Sequence, residues 1–267
     1  MEGHKILTYL SIIHAGDWDL MYEDLINRKT SYPDEVINKE VAKLKCNVLT
    51  ILDENYPAYL KEGFKPPLVL YYYGDISLLY NDENTLGVVG SRATTPYGEE
   101  ITTKIVSELA NDFIIVSGLA KGIDSIAHKA AISNGGKTIA VLGNAIDECY
   151  PKENKELYEI IKKEHLLISE IPPGARVGPE RFPFRNRLIA QLSSALLVTE
   201  AKYRSGTSIT VGFALNKGIE VMCVPHPAGT ESLCNLLITE GADLVESAKD
   251  IRLELSGGRS RKYFKTT

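Results

Sequence analysis

The 267-residue chain is poor in cysteine, with four in all, and none of them form a C-x-x-C pair. Cys46, Cys149, Cys223 and Cys234 are too scattered for a disulfide framework or a zinc ribbon, so buried thiols are the expectation and no metal site is. Long apolar runs are also missing. Stretches such as Ile139 to Leu142 and Ala195 to Val198 fall far short of the roughly 20 residues that a membrane helix needs. The opening residues lack the basic-then-apolar pattern of a secretory signal, and the cytoplasm is the expected compartment. Nor is there an excess of positive charge. Thirty Lys and Arg against thirty-five Asp and Glu give −5, which argues against coating nucleic acid by bulk charge but leaves room for a local basic site. No G-x-G-x-x-G follows the first strand of the main repeat pattern, and no Walker A sequence occurs, so no nucleotide cofactor is expected. The closest string to a Walker A, Asn134-Gly135-Gly136-Lys137-Thr138, precedes a strand instead of opening a helix and reads as a helix C-cap and turn.

What is present is an ordinary globular composition, 44% apolar and 24% charged. From Lys5 to Lys45 apolar residues recur at helical intervals, with Gly16 and Pro33 as punctuation. After Cys46 the texture changes, and NVLTILD and PPLVLYYYG read as strands. Short apolar runs then alternate with helical stretches: Leu86–Gly90, Phe113–Gly118, Thr138–Gly143, Leu166–Ile171, Ala195–Ala201, Glu220–Pro225 and Asp243–Glu246. Strands buried on both faces read as continuous apolar runs, so this alternation predicts βαβ units. The expected fold is α/β: an extended Rossmann-like, doubly wound, mostly parallel sheet with a small N-terminal helical lobe. The expected divisions are a lobe over 1–45, the Rossmann-like domain over 46–255 and a basic tail over 256–267.

In such a sheet ligands bind at the carboxyl ends of the strands, near the switch in strand order. Four loops there combine small residues with cations: Gly90 to Gly98, Ser117 to Asp124, Pro172 to Arg187 and Glu200 to Ser208. Backbone N–H groups in small-residue turns leading into helix N-termini suit phosphate. Between Arg176 and Arg204 six basic residues face two acidic ones, a basic strip inside an acidic protein. Arg92 and Arg185 offer planar forks for phosphate and are expected to be exposed, while Lys121 contributes a point charge. Phe182, Phe184 or Tyr203 could stack on a base, with core packing the competing explanation.

The strings GSRATTPYG, VSGLAKGIDSIAHKAA, GGKTIAVLG with IDECYP, SEIPPG, FPFRNRLIAQLS, EAKYRSGTSIT and VPHP followed by LITEGA occur in that order. Together they resemble the DNA-processing protein A family from about Ile51 to Val245. The resemblance implies single-stranded DNA as ligand, a homodimer, and RecA recombinase as the partner that is loaded onto incoming strands during natural transformation. Matched residue by residue, it implies a DNA-binding set of Gly90, Ser91 and Arg92, Lys121 and Gly122, Phe182, Arg185 and Asn186, and Ser205, Gly206 and Thr207. Two loops depart from the family pattern. Asn144-Ala145 replaces a threonine and a glycine, and His226-Pro227 replaces a glycine in a shortened loop, so family contacts are not carried over there.

No catalytic residue is expected. Asp124 and His128, four apart at a helix start, read as structural, and Cys223, His226 and Cys234 lack a fourth metal ligand. The alternative is a nucleotide-binding or nucleoside-monophosphate-hydrolysing protein of the lysine-decarboxylase-like Rossmann group. Its P-G-G-x-G-T-x-x-E motif ends in a glutamate, whereas here Arg204 to Thr210 carries no such carboxylate. The resemblance places the dimer face in the C-terminal part, where Leu233, Leu236, Leu237 and Ile238 lie on an expected helix; burial against the chain's own sheet is the competing reading.

Overall fold

A computed structural model describes residues 2–256. The chain opens with three helices, α1 (Glu2–Ile13), α2 (Trp18–Ile26) and α3 (Asp34–Val41). Two strands follow, β1 (Asn47–Thr50) and β2 (Val69–Gly74), with the short α4 (Ala58–Lys61) between them. The remainder alternates: β3 (Thr85–Val89), α5 (Pro96–Leu109), β4 (Ile114–Ser117), α6 (Ile123–Ser133), β5 (Thr138–Leu142), α7 (Lys155–Glu164) and β6 (Leu166–Ser169). It continues through α8 (Arg181–Gln191), β7 (Ala195–Val198), α9 (Gly206–Asn216), β8 (Glu220–Cys223), α10 (Leu233–Thr239), β9 (Asp243–Leu244) and α11 (Ala248–Leu255). Among the described residues no helix is long and apolar enough to cross a membrane. The expected basic tail lies, from residue 257 on, outside the described residues.

All nine strands form one sheet in the order β1-β2-β6-β5-β4-β3-β7-β8-β9. From β6 to β9 every pairing is parallel, and β2 joins antiparallel to β6, so the expected mostly parallel, Rossmann-like sheet is what the chain builds. The central strands β3 to β7 are buried at every position because helices cover both faces, which is why they read as unbroken apolar runs. Leu86, Ile115 and Leu197 point to the face under α5, α6 and α11 (cluster with Ile105, Ile123 and Ile251). Val89, Val116 and Leu196 point to the opposite face under α8, α9 and α10 (cluster with Leu188, Val211 and Leu233). The N-terminal helices share a third cluster with α7, where Leu7, Leu10 and Met21 meet Tyr71, Leu142 and Tyr158.

Helix starts and stops follow local chemistry. Pro96 opens α5 behind Thr95, whose hydroxyl accepts from the Gly98 N–H at 3.1 Å. Asn134 closes α6 and Gly135 turns the chain at φ +77°, the C-cap expected of that segment. The strand order reverses at β3, which lies between β4 and β7, so the crevice between the carboxyl ends of β3 and β7 is the topological switch point.

Candidate nucleic-acid interface

Three of the expected loops are laced together at the switch point. The Ser91 N–H donates to the Glu200 carbonyl at 2.7 Å, the Ile123 N–H to the Ser91 carbonyl at 3.1 Å, and the Thr207 hydroxyl to the Gly90 carbonyl at 3.1 Å. Glycine is required at both crossings. A Cβ on Gly90 would stand 2.6 Å from the Glu200 carbonyl oxygen, and one on Gly122, at φ +73°, 2.2 Å from that of Ser91. Gly90, Ser91, Gly122 and Thr207 therefore converge, with Arg92 and Lys121 exposed beside them. Lys121 bonds Glu153 at 2.6 Å across a solvent-exposed pair, and this contact holds the Glu153 carboxyl below its usual range.

The protein's own carboxylates occupy N–H groups at the start of α5 and in the turn before α6. Glu200 accepts from the Thr95 N–H at 3.0 Å and from the Thr95 hydroxyl at 3.3 Å, at the N-terminus of α5. Asp124 accepts from the N–H groups of Gly118 and Ala120 at 3.2 and 3.3 Å, inside the turn that leads into α6. A carboxylate seated on such N–H groups stands where an external phosphate would. The start of α9 differs. Ser205 is its N-cap without a side-chain cap bond; among the described residues the buried Ser205 Oγ has no hydrogen-bond partner, and Gly206 is exposed with open space where a Cβ would stand. Asn186 steadies this turn by donating to the Gly206 carbonyl at 3.2 Å.

The basic strip divides into internal and external cations. Contrary to expectation, Arg185 is not an exposed fork: it lies on α8, 5% exposed, and its Nη1 donates to the carbonyls of Gly118 (2.8 Å) and Val141. Burial pulls the Arg185 guanidinium down to about 10, while the facing Asp124 opposes that shift, so it stays charged at neutral pH. Burial likewise raises the Asp124 carboxyl, against the pull of Arg185 and its two N–H donors. Arg187 is 0% exposed and forms a two-pronged bond to Glu170 at 2.6 and 2.7 Å, with its guanidinium carbon 3.7 Å from the centre of the Phe184 ring. Phe184 thereby serves packing. Arg181 bonds Asp17 at 2.6 Å, tying α8 to the N-terminal helices. Arg176, Lys202 and Arg204 remain exposed, together with Arg92.

Phe182 is half-buried over the end of β5, where a Cβ on Gly143 would come within 2.8 Å of its ring. Its partner ring is Tyr150, centroids 5.4 Å apart and tilted by 41°, a residue that the sequence reading passed over. Tyr203 is exposed in the loop before α9. In the two altered loops, Asn144 is buried and donates to the Glu148 carbonyl at 2.6 Å, and the His226 Nε2 meets the Thr199 carbonyl at 3.0 Å. Hydrogen bonds to Cys234 and Thr199 raise the His226 imidazole, and bonds to Cys223 and His226 lower the Cys234 thiol to about 6.

Asp124 and His128 do not pair; the His128 Nδ1 lies 2.6 Å from the Thr138 hydroxyl. Among the described residues three ligand-type side chains come within 4.8 Å of one another at Glu220, Asp243 and Glu254, away from the loop edge, and not at Cys223, His226 and Cys234. Of the positions considered for a dimer face, Leu233 and Leu237 are buried in the core, Ile238 is half-buried and Leu236 is exposed.

Comparison with known proteins bears directly on this edge. The family model described as "DNA recombination-mediator protein A" matches residues 47–256. A DNA processing protein DprA from Streptococcus pneumoniae is 44% identical over 95% of this chain and 94% of its own length. The X-ray structure of DprA from that species superimposes with a TM-score of 0.79 at 39% identity, covering 95% of this chain and 92% of that one. DNA processing protein A from Helicobacter pylori, whose structure is described in terms of its single-stranded DNA binding mode, gives a TM-score of 0.73 at 27% identity over 80% of this chain and 97% of that one. With its Rossmann-like sheet and its laced glycine loops at the switch point, the chain belongs to the DNA recombination-mediator (DNA-processing) protein A family.

Proposed function

We propose that this chain binds single-stranded DNA along the loop edge of its sheet and acts as a recombination mediator during natural transformation. In that role it shields incoming strands and helps RecA to load on them. The observation that carries the reading is the start of α9, where among the described residues no side chain caps the helix, the buried Ser205 hydroxyl has no hydrogen-bond partner and Gly206 is exposed, beside exposed Arg92, Lys202 and Arg204. A phosphate seated there accepts N–H groups aligned with the helix dipole. Phosphate contacts are indifferent to base identity, and stacking on Phe182 tolerates any base, which suits strands of arbitrary sequence.

The proposed binding set is graded by exposure. Arg92, Lys121, Ser205, Gly206 and Phe182 contact the strand. Gly90, Ser91, Gly122, Asn186 and Thr207 hold the loops in place, and Arg185 braces the edge from beneath. Function through binding, not turnover, agrees with the chemistry at hand: Glu200 is engaged by Thr95, and Thr210 stands where the hydrolases of the alternative reading carry their glutamate. Two pockets joined in a dimer raise avidity for one strand, and a homodimer is part of the proposal.

Fluorescence anisotropy with labelled oligo-dT and an equal-length duplex, with free nucleotides as competitors, tests the reading. Preference for the single strand that weakens with salt is the expected result. Equal affinity for duplex, or displacement by micromolar mononucleotide with release of ribose 5-phosphate, overturns it. Light scattering checks the dimer, which a mass fixed near 29.5 kDa would exclude.

A further inference from the structure

Tyr150 stands in the loop after β5, outside every loop singled out for phosphate. Its neighbours Ala145, Ile146 and Pro151 are buried, yet Tyr150 itself is 54% exposed. Its ring meets Phe182 at 5.4 Å with a tilt of 41°, so neither ring seals the other face to face as a parallel stack would. Phe182 is held from below, where only a glycine at 143 leaves room for the ring. Phe182 and Asn186 stand four apart on α8, one helical turn, and Asn186 touches the α9 start through the Gly206 carbonyl at 3.2 Å. The α9 start, Asn186, Phe182 and Tyr150 are thus linked in sequence, by a hydrogen bond, by one turn of α8 (roughly 5 Å) and by a ring contact.

Resting on the proposed strand-binding function, we infer that Tyr150 and Phe182 form a two-ring stacking step for nucleobases, carrying the strand from the α9 phosphate seat onto the β5 loop. The loop around Tyr150 carries exposed Asp147 and Glu148 beside Lys152, so phosphate attraction contributes little there and the ring faces do the binding. Every base has a π face, which makes such a step tolerant of sequence. It also makes this part of the affinity insensitive to salt, unlike contacts that release counterions.

The test uses the full chain and two labelled strands of equal length, oligo-dT and a strand of abasic sites. Tyr150→Ala is expected to weaken oligo-dT binding about tenfold, to leave the abasic strand within twofold of the parent, and to keep the salt slope unchanged. Tyr150→Phe keeps the parental affinity. Tyr150→Leu, which retains apolar packing against Phe182 but has no π face, behaves like the alanine variant. Parental oligo-dT affinity in Tyr150→Ala, or equal losses on both strands, overturns the stacking step while leaving the proposed function standing. A parent chain that binds neither strand sinks the function itself, and the stacking step with it.

Discussion

Replacing Arg185 separates a brace from a ligand contact. Arg185→Ala removes the donor of two buried carbonyls, those of Gly118 and Val141, and leaves Asp124 as a buried carboxylate without its facing cation. Although the two make no direct ion pair, leaving a buried charge without its nearby counter-charge, together with two orphaned carbonyls, costs about 3–5 kcal/mol. For a chain of this size each kcal/mol lowers the melting temperature by about 2–4 °C, so the expected fall is roughly 6–20 °C. Arg92→Ala, at an exposed position, melts with the parent. Asp124→Asn supplies the control, because the amide oxygen still accepts from Gly118 and Ala120 while the charge is gone. Combined with Arg185→Ala it is expected to destabilise by less than the two single changes added together, with a coupling of about 0.5–3 kcal/mol. Calorimetric melting and anisotropy on the same samples give both readouts. If Arg185→Ala melts within about 2 °C of the parent and yet loses strand affinity, the guanidinium reaches the ligand and the bracing argument is wrong.

Three further outcomes are expected. Arg92→Ala should flatten the dependence of log affinity on log salt by about 0.7, the share of one single-strand phosphate, and an unchanged slope would remove Arg92 from the interface. His128 is fully buried, its Nδ1 toward Thr138 and its Nε2 without a partner, and burial lowers its imidazole to about 3 from 6.5. The unfolded chain therefore takes up the proton first as pH falls below 6.5. Urea titrations should show the parent losing about 1.4 kcal/mol between pH 7.5 and 5.5 relative to His128→Gln, whereas parallel pH profiles would contradict the buried neutral imidazole. Arg187→Lys keeps the charge but cannot reproduce the fork on Glu170 and the carbonyls of Lys65 and Phe184, so a loss of about 2 kcal/mol or more in denaturant unfolding is expected, and none would be seen if charge alone mattered.

The sheet was legible because burial on both faces writes a strand as an unbroken apolar run. The switch-point loops were legible because close backbone crossings admit only glycine, as Gly90 and Gly122 show. The fate of the arginines was less so. The reading of Pro172 to Arg187 as a loop hid the fact that α8 begins at Arg181. At helical spacing Arg185 shares a stripe with Leu188, Ile189 and Leu192, all buried, and that pattern was in the sequence to be found. The partners themselves were not, since Asp17 lies 164 residues from Arg181 and no periodicity links them. Tyr150 left a fainter signal, a large aromatic directly before Pro151 in a loop that leaves a strand end. That loop sets Asp147 and Glu148 beside Lys152, so its charge does not mark it as part of a basic edge.

Under the proposed function an acidic chain has to bind a polyanion, which poses a problem of local charge. Net −5 repels a strand at long range, so attraction has to come from cations standing clear of the protein's own carboxylates. Three of the six basic residues in the strip are held internally, by Asp17, Glu170 and backbone carbonyls, and Lys121 must leave Glu153 before it can meet a phosphate. Glu200 takes the Thr95 N–H at the start of α5 and the Ser91 carbonyl takes the first N–H of α6, so in the proposed function a phosphate is directed to the start of α9. Few phosphates are then neutralised per chain, and electrostatics alone gives weak binding at cellular salt. The remaining affinity has to come from terms that salt does not screen. In the proposed function stacking on Phe182 and Tyr150 is one such term, and the joining of two sites in the proposed dimer is another.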